Sequence, residues 1–216
     1  MTCDDREDEK DKVWDFDDEA EGYDDLVASD DPVYESYDDV LNAVVDVAAV
    51  CPGKKVLDLG CGTGNLTRLC LEHKASTVVG LDPSGNMLKK AEEKIGSDVR
   101  VEFQKVARPF CSIPYADEYF DVVISSYAYH HVPHRLRRDT VVEMMRVLKP
   151  GGIWALGDLI FESEEAESAL LSSVDWMEEE YFPRVDHMRR VFADLGIELN
   201  AVQLTHITWL LWAIKS

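Results

Sequence analysis

Val56-Leu57-Asp58-Leu59-Gly60-Cys61-Gly62-Thr63-Gly64-Asn65-Leu66-Thr67 decides how this chain folds. A short apolar run ends at an acid, glycines follow at every second position, and a helix-like segment begins directly after them. An apolar run of this length bounded by turn residues reads as a buried strand. Its end opens a concave, glycine-lined turn where a ligand can approach the main chain without meeting Cβ atoms. The spacing limits which ligand. A dinucleotide turn carries Gly-x-Gly-x-x-Gly. Here Asn65 takes the third position of that fingerprint, and the extra glycine comes one residue early, at Gly64. No Gly-Lys-Ser/Thr follows, so a Walker-type phosphate loop is absent. Both departures count against NAD, FAD and ATP.

Val78-Val79-Gly80-Leu81-Asp82 reads as the next strand. It ends in an acid about twenty residues after the glycines, where a carboxylate can accept both hydroxyl protons of a ribose. Taken alone, Asp82 could equally be a cap or turn residue. Ser84 has the character of an N-cap for a helix through Met87, Leu88, Ala91 and Ile95. Glycine turn and acid together predict a nucleoside-type ligand at a strand end.

From residue 50 onward the pattern alternates. Strands are expected at Lys55–Leu59, Thr77–Asp82, Val99–Lys105, Phe120–Ser125 and Ile153–Leu159, and helices at Asn65–His73, Ser84–Ile95 and Arg135–Leu148. Lys149-Pro150-Gly151-Gly152 is expected to stop the last helix. Such alternation implies an α/β fold, a parallel sheet with helices on both faces and right-handed crossovers. The end differs. Glu198–Leu204 and Ile207–Ile214 are strand-like runs joined by Thr205-His206, a link that only an antiparallel hairpin can use.

The chain has 216 residues and a formal charge of −21. Residues 1–40 hold 18 acids and 3 bases, so most of the charge is N-terminal. Residues 1–12 read as an acidic, disordered, solvated tail. A nucleic-acid substrate is not expected, because binding phosphates takes a basic groove. A polyanionic membrane surface is disfavoured for the same reason. The sequence has no apolar run long enough to span a bilayer and no secretory h-region. Five scattered cysteines, Cys3, Cys51, Cys61, Cys70 and Cys111, form no C-x-x-C pair. They suit a reducing cytoplasm and indicate neither a zinc site nor a disulfide framework.

The D-x-G-x-G-x-G turn resembles motif I of class I S-adenosylmethionine-dependent methyltransferases. Ile113-Pro114-Tyr115-Ala116-Asp117-Glu118-Tyr119-Phe120-Asp121 resembles the family's approach to its fourth strand, and Leu148-Lys149-Pro150-Gly151-Gly152 the turn before its fifth. Finer marks are similar to the YrrT-like methyltransferases. They include Ala20-Glu21-Gly22-Tyr23-Asp24-Asp25, Asp31-Pro32-Val33-Tyr34, Ser125-Ser126-Tyr127-Ala128-Tyr129-His130-His131 and Leu204-Thr205-His206-Ile207-Thr208-Trp209. The resemblance implies a class I methyltransferase domain over residues 51–216, Rossmann-like with its C-terminal antiparallel hairpin, preceded by a helical lid segment at 13–50. It implies S-adenosylmethionine as cofactor and a small-molecule acceptor, with a link to methionine and S-adenosylhomocysteine recycling. A non-catalytic S-adenosylmethionine-binding protein, a sensor or sequestering device, is the alternative.

By the family pattern Gly60, Gly62 and Gly64 line the methionine and ribose side. Asp58 would organise the methionine amino group and Asp82 the ribose. Met87 would pack on the adenine, or else serve as a core methionine. Family members usually carry an acid for the adenine amino group near position 109. Arg108-Pro109-Phe110-Cys111 has none, which leaves the Phe110 main chain and apolar packing. Tyr23 would reach the cofactor from the lid, or simply pack a surface helix. Tyr127, His130 and His131 follow the fourth strand at the edge where open α/β sheets bind ligands. They are the catalytic candidates, with Tyr127 and Asp158 as substrate-site walls. A neutral histidine there could act as a general base, while either histidine could instead cap a helix. His130 and His131 are adjacent and diverge, so no metal is expected. Tyr34, Tyr37, His206 and Trp209 are second-tier candidates.

Overall fold

The computed structural model describes residues 16–108, 110–171 and 181–216. The acidic tail assigned to residues 1–12, the start of the lid segment at 13–15, and Pro109 lie outside the described residues. Among the described residues the strands are β1 (Lys55–Leu59), β2 (Thr77–Asp82), β3 (Val101–Lys105), β4 (Phe120–Ser126), β5 (Leu148–Leu159), β6 (Leu199–Gln203) and β7 (Thr208–Ile214). They form one sheet in the order β3-β2-β1-β4-β5-β7-β6. The pairings among β1 to β5 are parallel. β7 runs antiparallel to both β5 and β6. This is the Rossmann-like class I arrangement.

Successive residues of the central strands face opposite sides, as the pleat requires. Val56, Val78, Val122 and Ile124 contribute to one core, while Leu57, Leu59, Val79, Leu81 and Val123 contribute to the other. Helix α1 (Tyr23–Val27) is short, and α2 (Tyr37–Val47) and α3 (Asn65–Glu72) cover the first face. Their buried set includes Val40, Leu41, Val44, Val45, Leu66 and Cys70. Helix α4 (Gly85–Ile95) lies beside α3. Helices α5 (Arg137–Val147) and α7 (Val185–Asp194) cover the second face. Each fully buried aliphatic side chain contributes about 1.5–3 kcal/mol. Two cores on one sheet therefore hold the strand ends rigidly.

Three features differ from the sequence expectation. Lys149–Gly152 sits inside β5 as a register break: Phe120 pairs with Leu148, yet Val122 pairs with Ile153. Gly151 takes φ +72° there and its N–H bonds to Lys215 O, so the interruption is held by β7's exit. The hairpin loop has four residues, 204–207, because the Leu204 and Thr205 N–H groups both turn back to Thr208 O. Helix α6 (Glu164–Leu171) and α7 were not anticipated. In α7, Val185, Met188, Val191 and Phe192 fall at helical spacing and are buried.

The N-terminal segment splits in function. Helix α2 belongs to the sheet's packing. A Cβ at Gly157 of β5 would lie 2.8 Å from both Val40 and Val44 side chains, so glycine is what lets α2 approach. Residues before α2 instead lie over the strand ends. Asp17 reaches α4, where its carboxylate accepts from the Ser84 hydroxyl and from the Asn86 N–H at 2.9 Å. Asp24 accepts from Thr63 Oγ1 at 2.7 Å, Asn65 Nδ2 at 3.2 Å and Lys94 Nζ at 2.8 Å. These two acids pin the segment over the glycine turn.

Candidate functional site

The strand order reverses between β1 and β4, and open α/β sheets bind ligands outside the strand ends at that crevice. A cavity opens there. Gly60, Gly62, Asp82, Met87, Phe110, Tyr23, Tyr127 and His131 line it, with Phe16, Tyr37, Thr63, Asn65 and Ser126. The structure thus brings eight of the candidate residues onto one surface.

The turn after β1 explains its glycines. Gly60 has φ +68°, and a Cβ there would stand 2.5 Å from the Ala128 Cβ. Gly62 has φ +52°, and among the described residues nothing lies within 4 Å of its missing Cβ. That Cβ would project into the open cavity, so the backbone itself is the wall. Gly64 has a different task. It takes φ +82° as the residue before α3, and a Cβ would lie 3.0 Å from the Ala91 Cβ of α4. It permits the turn and the close approach of α4, and it stands back from the cavity wall.

Asp82 is 5 % exposed at the end of β2. Its Oδ2 accepts from the Gly62 N–H and its Oδ1 from the Ser84 N–H, each at 2.8 Å. Each oxygen keeps a lone pair toward the cavity. Burial pushes this carboxyl up to about 6, against those hydrogen bonds. Ser84 Oγ accepts from the Met87 N–H and caps α4, which fixes Met87 at the cavity's edge.

Asp58 lies beneath the turn, outside the cavity lining. Its Oδ2 accepts from the Thr67 hydroxyl at 2.6 Å. Its Oδ1 is buried with no hydrogen-bond partner among the described residues. Burial pushes its carboxyl up to about 7, opposed by the Thr67 hydroxyl and reinforced by the Asp82 charge. In the native state Asp58 and Asp82 keep protons at pH values where the unfolded chain, near 3.8, has lost them. The native state then binds more protons, and stability falls as pH rises from about 4 to about 7. His134, which burial lowers to about 4, and His187, lowered likewise, favour folding as pH rises through part of this window and offset some of the loss, while surface acids with lowered values, such as Asp17 and Asp98, act below it. The ligand-free protein is therefore expected to melt at a higher temperature at about pH 5 than at about pH 7.5 at constant salt. Asp58→Asn is expected to flatten the difference. A melting temperature that climbs across this interval would contradict the assignment.

His130 and Asp158 form a buried pair away from the cavity. Asp158 is fully buried. Its Oδ1 bonds His130 Nδ1 at 2.6 Å and accepts from the Leu159 N–H. Its Oδ2 accepts from the N–H groups of Ala128, Tyr129 and His130. This corrects two expectations. Asp158 is not a cavity wall, because five hydrogen bonds turn it into the anchor of the loop after β4. His130 is not exposed for catalysis, because its ring is turned into that anchor. The same loop holds Tyr127 at φ +48° and delivers Tyr127 and His131 to the cavity. His131 packs against Phe16 with ring centroids 4.7 Å apart and planes tilted by 43°.

Sequence reasoning missed Phe16, Asp17, Thr63, Asn65 and Ser126, and left Tyr37 as second tier. His206 is exposed and pairs with Glu35, and Trp209 packs on the core; neither lines the cavity. Among the described residues no group of three or more His, Cys, Asp or Glu could hold a metal ion. No helix among them is long and apolar enough to cross a membrane.

Residues 56–152 match a family model described as a methyltransferase domain. The chain is 31 % identical over 209 residues to an uncharacterized methyltransferase of Geobacillus thermodenitrificans, covering 93 % of this chain and 92 % of the relative. Its fold is similar to a chain from the Haloferax volcanii complex of the Trm112 methyltransferase activator, with a TM-score of 0.73 and 20 % identity over 94 % of this chain and 97 % of that one. It is also similar to magnesium protoporphyrin IX methyltransferase from Synechocystis PCC 6803 with bound S-adenosylhomocysteine. There the TM-score is 0.72 and the identity 15 %, over 93 % and 96 % of the two chains.

Proposed function

The chain belongs to the S-adenosylmethionine-dependent class I methyltransferases, and from that premise we propose that it methylates a small-molecule acceptor in the cavity beside the glycine turn. The observation that carries this is the open space at the Gly62 Cβ position among the described residues, in a turn whose Gly62 N–H holds the Asp82 carboxylate. That cradle admits a nucleoside against bare backbone, and the orphaned Asp58 Oδ1 suits an ammonium group or a water bound to one. The residues present therefore fit the donor: Asp82 for the ribose, Met87 and Phe110 for the base, Asp58 for the amino group. When bound, S-adenosylmethionine supplies an electrophilic methyl on a sulfonium.

The chain's own residues would then align the acceptor and exclude water. Phe16, Tyr23 and Tyr37 close the cavity from the N-terminal segment. His131 faces the cavity and could take a proton from the acceptor. Tyr127 stays a neutral hydroxyl, because burial holds it well above the usual phenol range. A cavity at the strand ends closed over by the N-terminal segment suits a metabolite rather than a macromolecule. The net charge of −21 disfavours nucleic acid. The finer assignment, a YrrT-like enzyme connected with methionine and S-adenosylhomocysteine recycling, rests on the N-terminal and hairpin motifs.

Calorimetry tests the donor site. S-adenosylmethionine or S-adenosylhomocysteine is expected to bind in the micromolar range, and Asp82→Ala to weaken binding about tenfold to a hundredfold. If neither ligand binds the wild type, the reading fails. A non-catalytic binder would share this site, and His130's commitment to Asp158 is the observation in its favour. Labelled donor incubated with a metabolite pool separates the two, since only an enzyme releases S-adenosylhomocysteine above background.

A further inference from the structure

One ammonium group holds part of the cavity wall from behind. Gly64 lets α4 come so close to the glycine turn that a Cβ there would lie 3.0 Å from the Ala91 Cβ. Lys94, one turn further along α4, reaches both residues that flank Gly64. Its Nζ donates to Thr63 Oγ1 at 3.0 Å, to Asn65 Oδ1 at 2.6 Å and to the Asp24 carboxylate at 2.8 Å. A lysine has three donors, and each finds an acceptor here. The network closes on itself. Asp24 Oδ1 also accepts from Thr63 Oγ1 and Asn65 Nδ2, and Asn65 Nδ2 donates to the Tyr37 hydroxyl at 3.3 Å.

The network borders the cavity on two sides. Thr63, Asn65 and Tyr37 line it, and so does Tyr23, the residue beside Asp24 in α1. Helix α1 cannot hold its own place. It has five residues, of which Val27 is buried, and Gly22 before it offers no side-chain cap. A helix that short is not stable by itself. It also lies in the acid-rich part of the chain, where 18 acids face 3 bases over residues 1–40 and repel one another. Helix α4 answers with two lysines four residues apart, Lys90 on Glu21 at 2.7 Å and Lys94 on Asp24. Glu21 is open to solvent, whereas the Lys94 side chain is 21 % exposed and its partner Thr63 is buried. Solvent therefore screens the Lys90 contact more than the Lys94 contact.

We propose that Lys94 is a positioning residue of the donor site, setting the glycine turn and seating α1 in one arrangement through Thr63, Asn65 and Asp24. The inference rests on the donor reading above. Lys94 stands outside the cavity lining and acts through the residues it holds. Without its charge, Asp24 keeps only the Thr63 and Asn65 contacts, and α1 is seated for a smaller fraction of the time. The apparent affinity for a ligand beneath that segment falls by the same fraction.

Calorimetry of the full chain with S-adenosylhomocysteine tests this without any turnover. Lys94→Met, which keeps the apolar stem, is expected to weaken binding about tenfold. Asp24→Asn, at a half-exposed side chain, is expected to do the same. The double variant should bind no more weakly than the worse single one, as for residues that act as a unit. Hydrogen exchange adds a readout that a general loss of stability would not give. Amides of residues 22–28 should exchange at least about fivefold faster in Lys94→Met, with those of α5 unchanged. Wild-type affinity in Lys94→Met, additive losses in the double variant, or exchange quickened equally in α5 would overturn the inference and leave the donor site intact. A wild type that binds neither S-adenosylmethionine nor S-adenosylhomocysteine would overturn the donor reading and this inference with it. Should Lys94→Met fail to fold, Asp24→Asn reads the same contact from its other end.

Discussion

Gly62→Arg is expected to abolish donor binding while leaving the protein folded. The glycine sits at φ +52°, where a residue with a Cβ pays about 1–2 kcal/mol. Among the described residues nothing stands within 4 Å of the added Cβ, so the new side chain meets no wall there. It enters the cavity instead, beside Asp82, and occupies the space a nucleoside needs. We expect at least a hundredfold loss of S-adenosylmethionine affinity, about 2.7 kcal/mol or more. The melting temperature should fall by only a few degrees. Gly60→Val makes the contrast. Its Cβ would lie 2.5 Å from the Ala128 Cβ, so the loop after β4 must move and folding itself should suffer. Calorimetry with thermal unfolding on both variants separates the two cases. Retained binding in Gly62→Arg would place the ligand elsewhere.

Asp158→Ala is the second large effect, and it concerns the fold. The carboxylate accepts from four backbone N–H groups and bonds the His130 ring, all with no solvent access at the acid. Its removal strands those donors in a dry interior. Breaking one side of such a buried network costs about 3–5 kcal/mol. The damage is directed, because the stranded donors belong to the loop carrying Tyr127 and His131. Urea unfolding should show the loss in stability. In the protein that remains folded, ligand affinity should fall although Asp158 lies outside the cavity lining. A change below about 1 kcal/mol would show that solvent or a neighbour replaces the anchor.

Much of this was legible because it is local. Gly60, Gly62 and Asp82 act through backbone geometry and through residues close to them in sequence, and spacing records that directly. The strand and helix order after residue 50 is similarly local. The misread residues depend on what surrounds them. Asp158 stands at the end of β5 and His130 in the loop after β4, yet which way each side chain turns follows from the loop's path, and the path follows from the hydrogen bonds between them. Asp17 and Asp24 were hidden by composition. In a segment with 18 acids they looked like solvated charge, although each reaches groups some forty to seventy residues away. Helix α7 was readable in the period of Val185, Met188, Val191 and Phe192. The acid-rich stretch before it offered no cap or turn to start a helix from.

The sheet order has a kinetic side. Among the described residues β6 pairs with no strand but β7, and β7 joins it to β5. Synthesis delivers β6 before its sole neighbour, so β6 must wait unpaired, and the β5 edge stays bare over the same interval. That edge carries Trp154 and Leu156, which end fully covered. A nascent chain at this stage exposes an apolar, hydrogen-bond-hungry strand of the kind that invites association between copies. β7 thus acts as the closing piece. Until it inserts, this half of the molecule is sticky, and crowding at the ribosome would be felt most there.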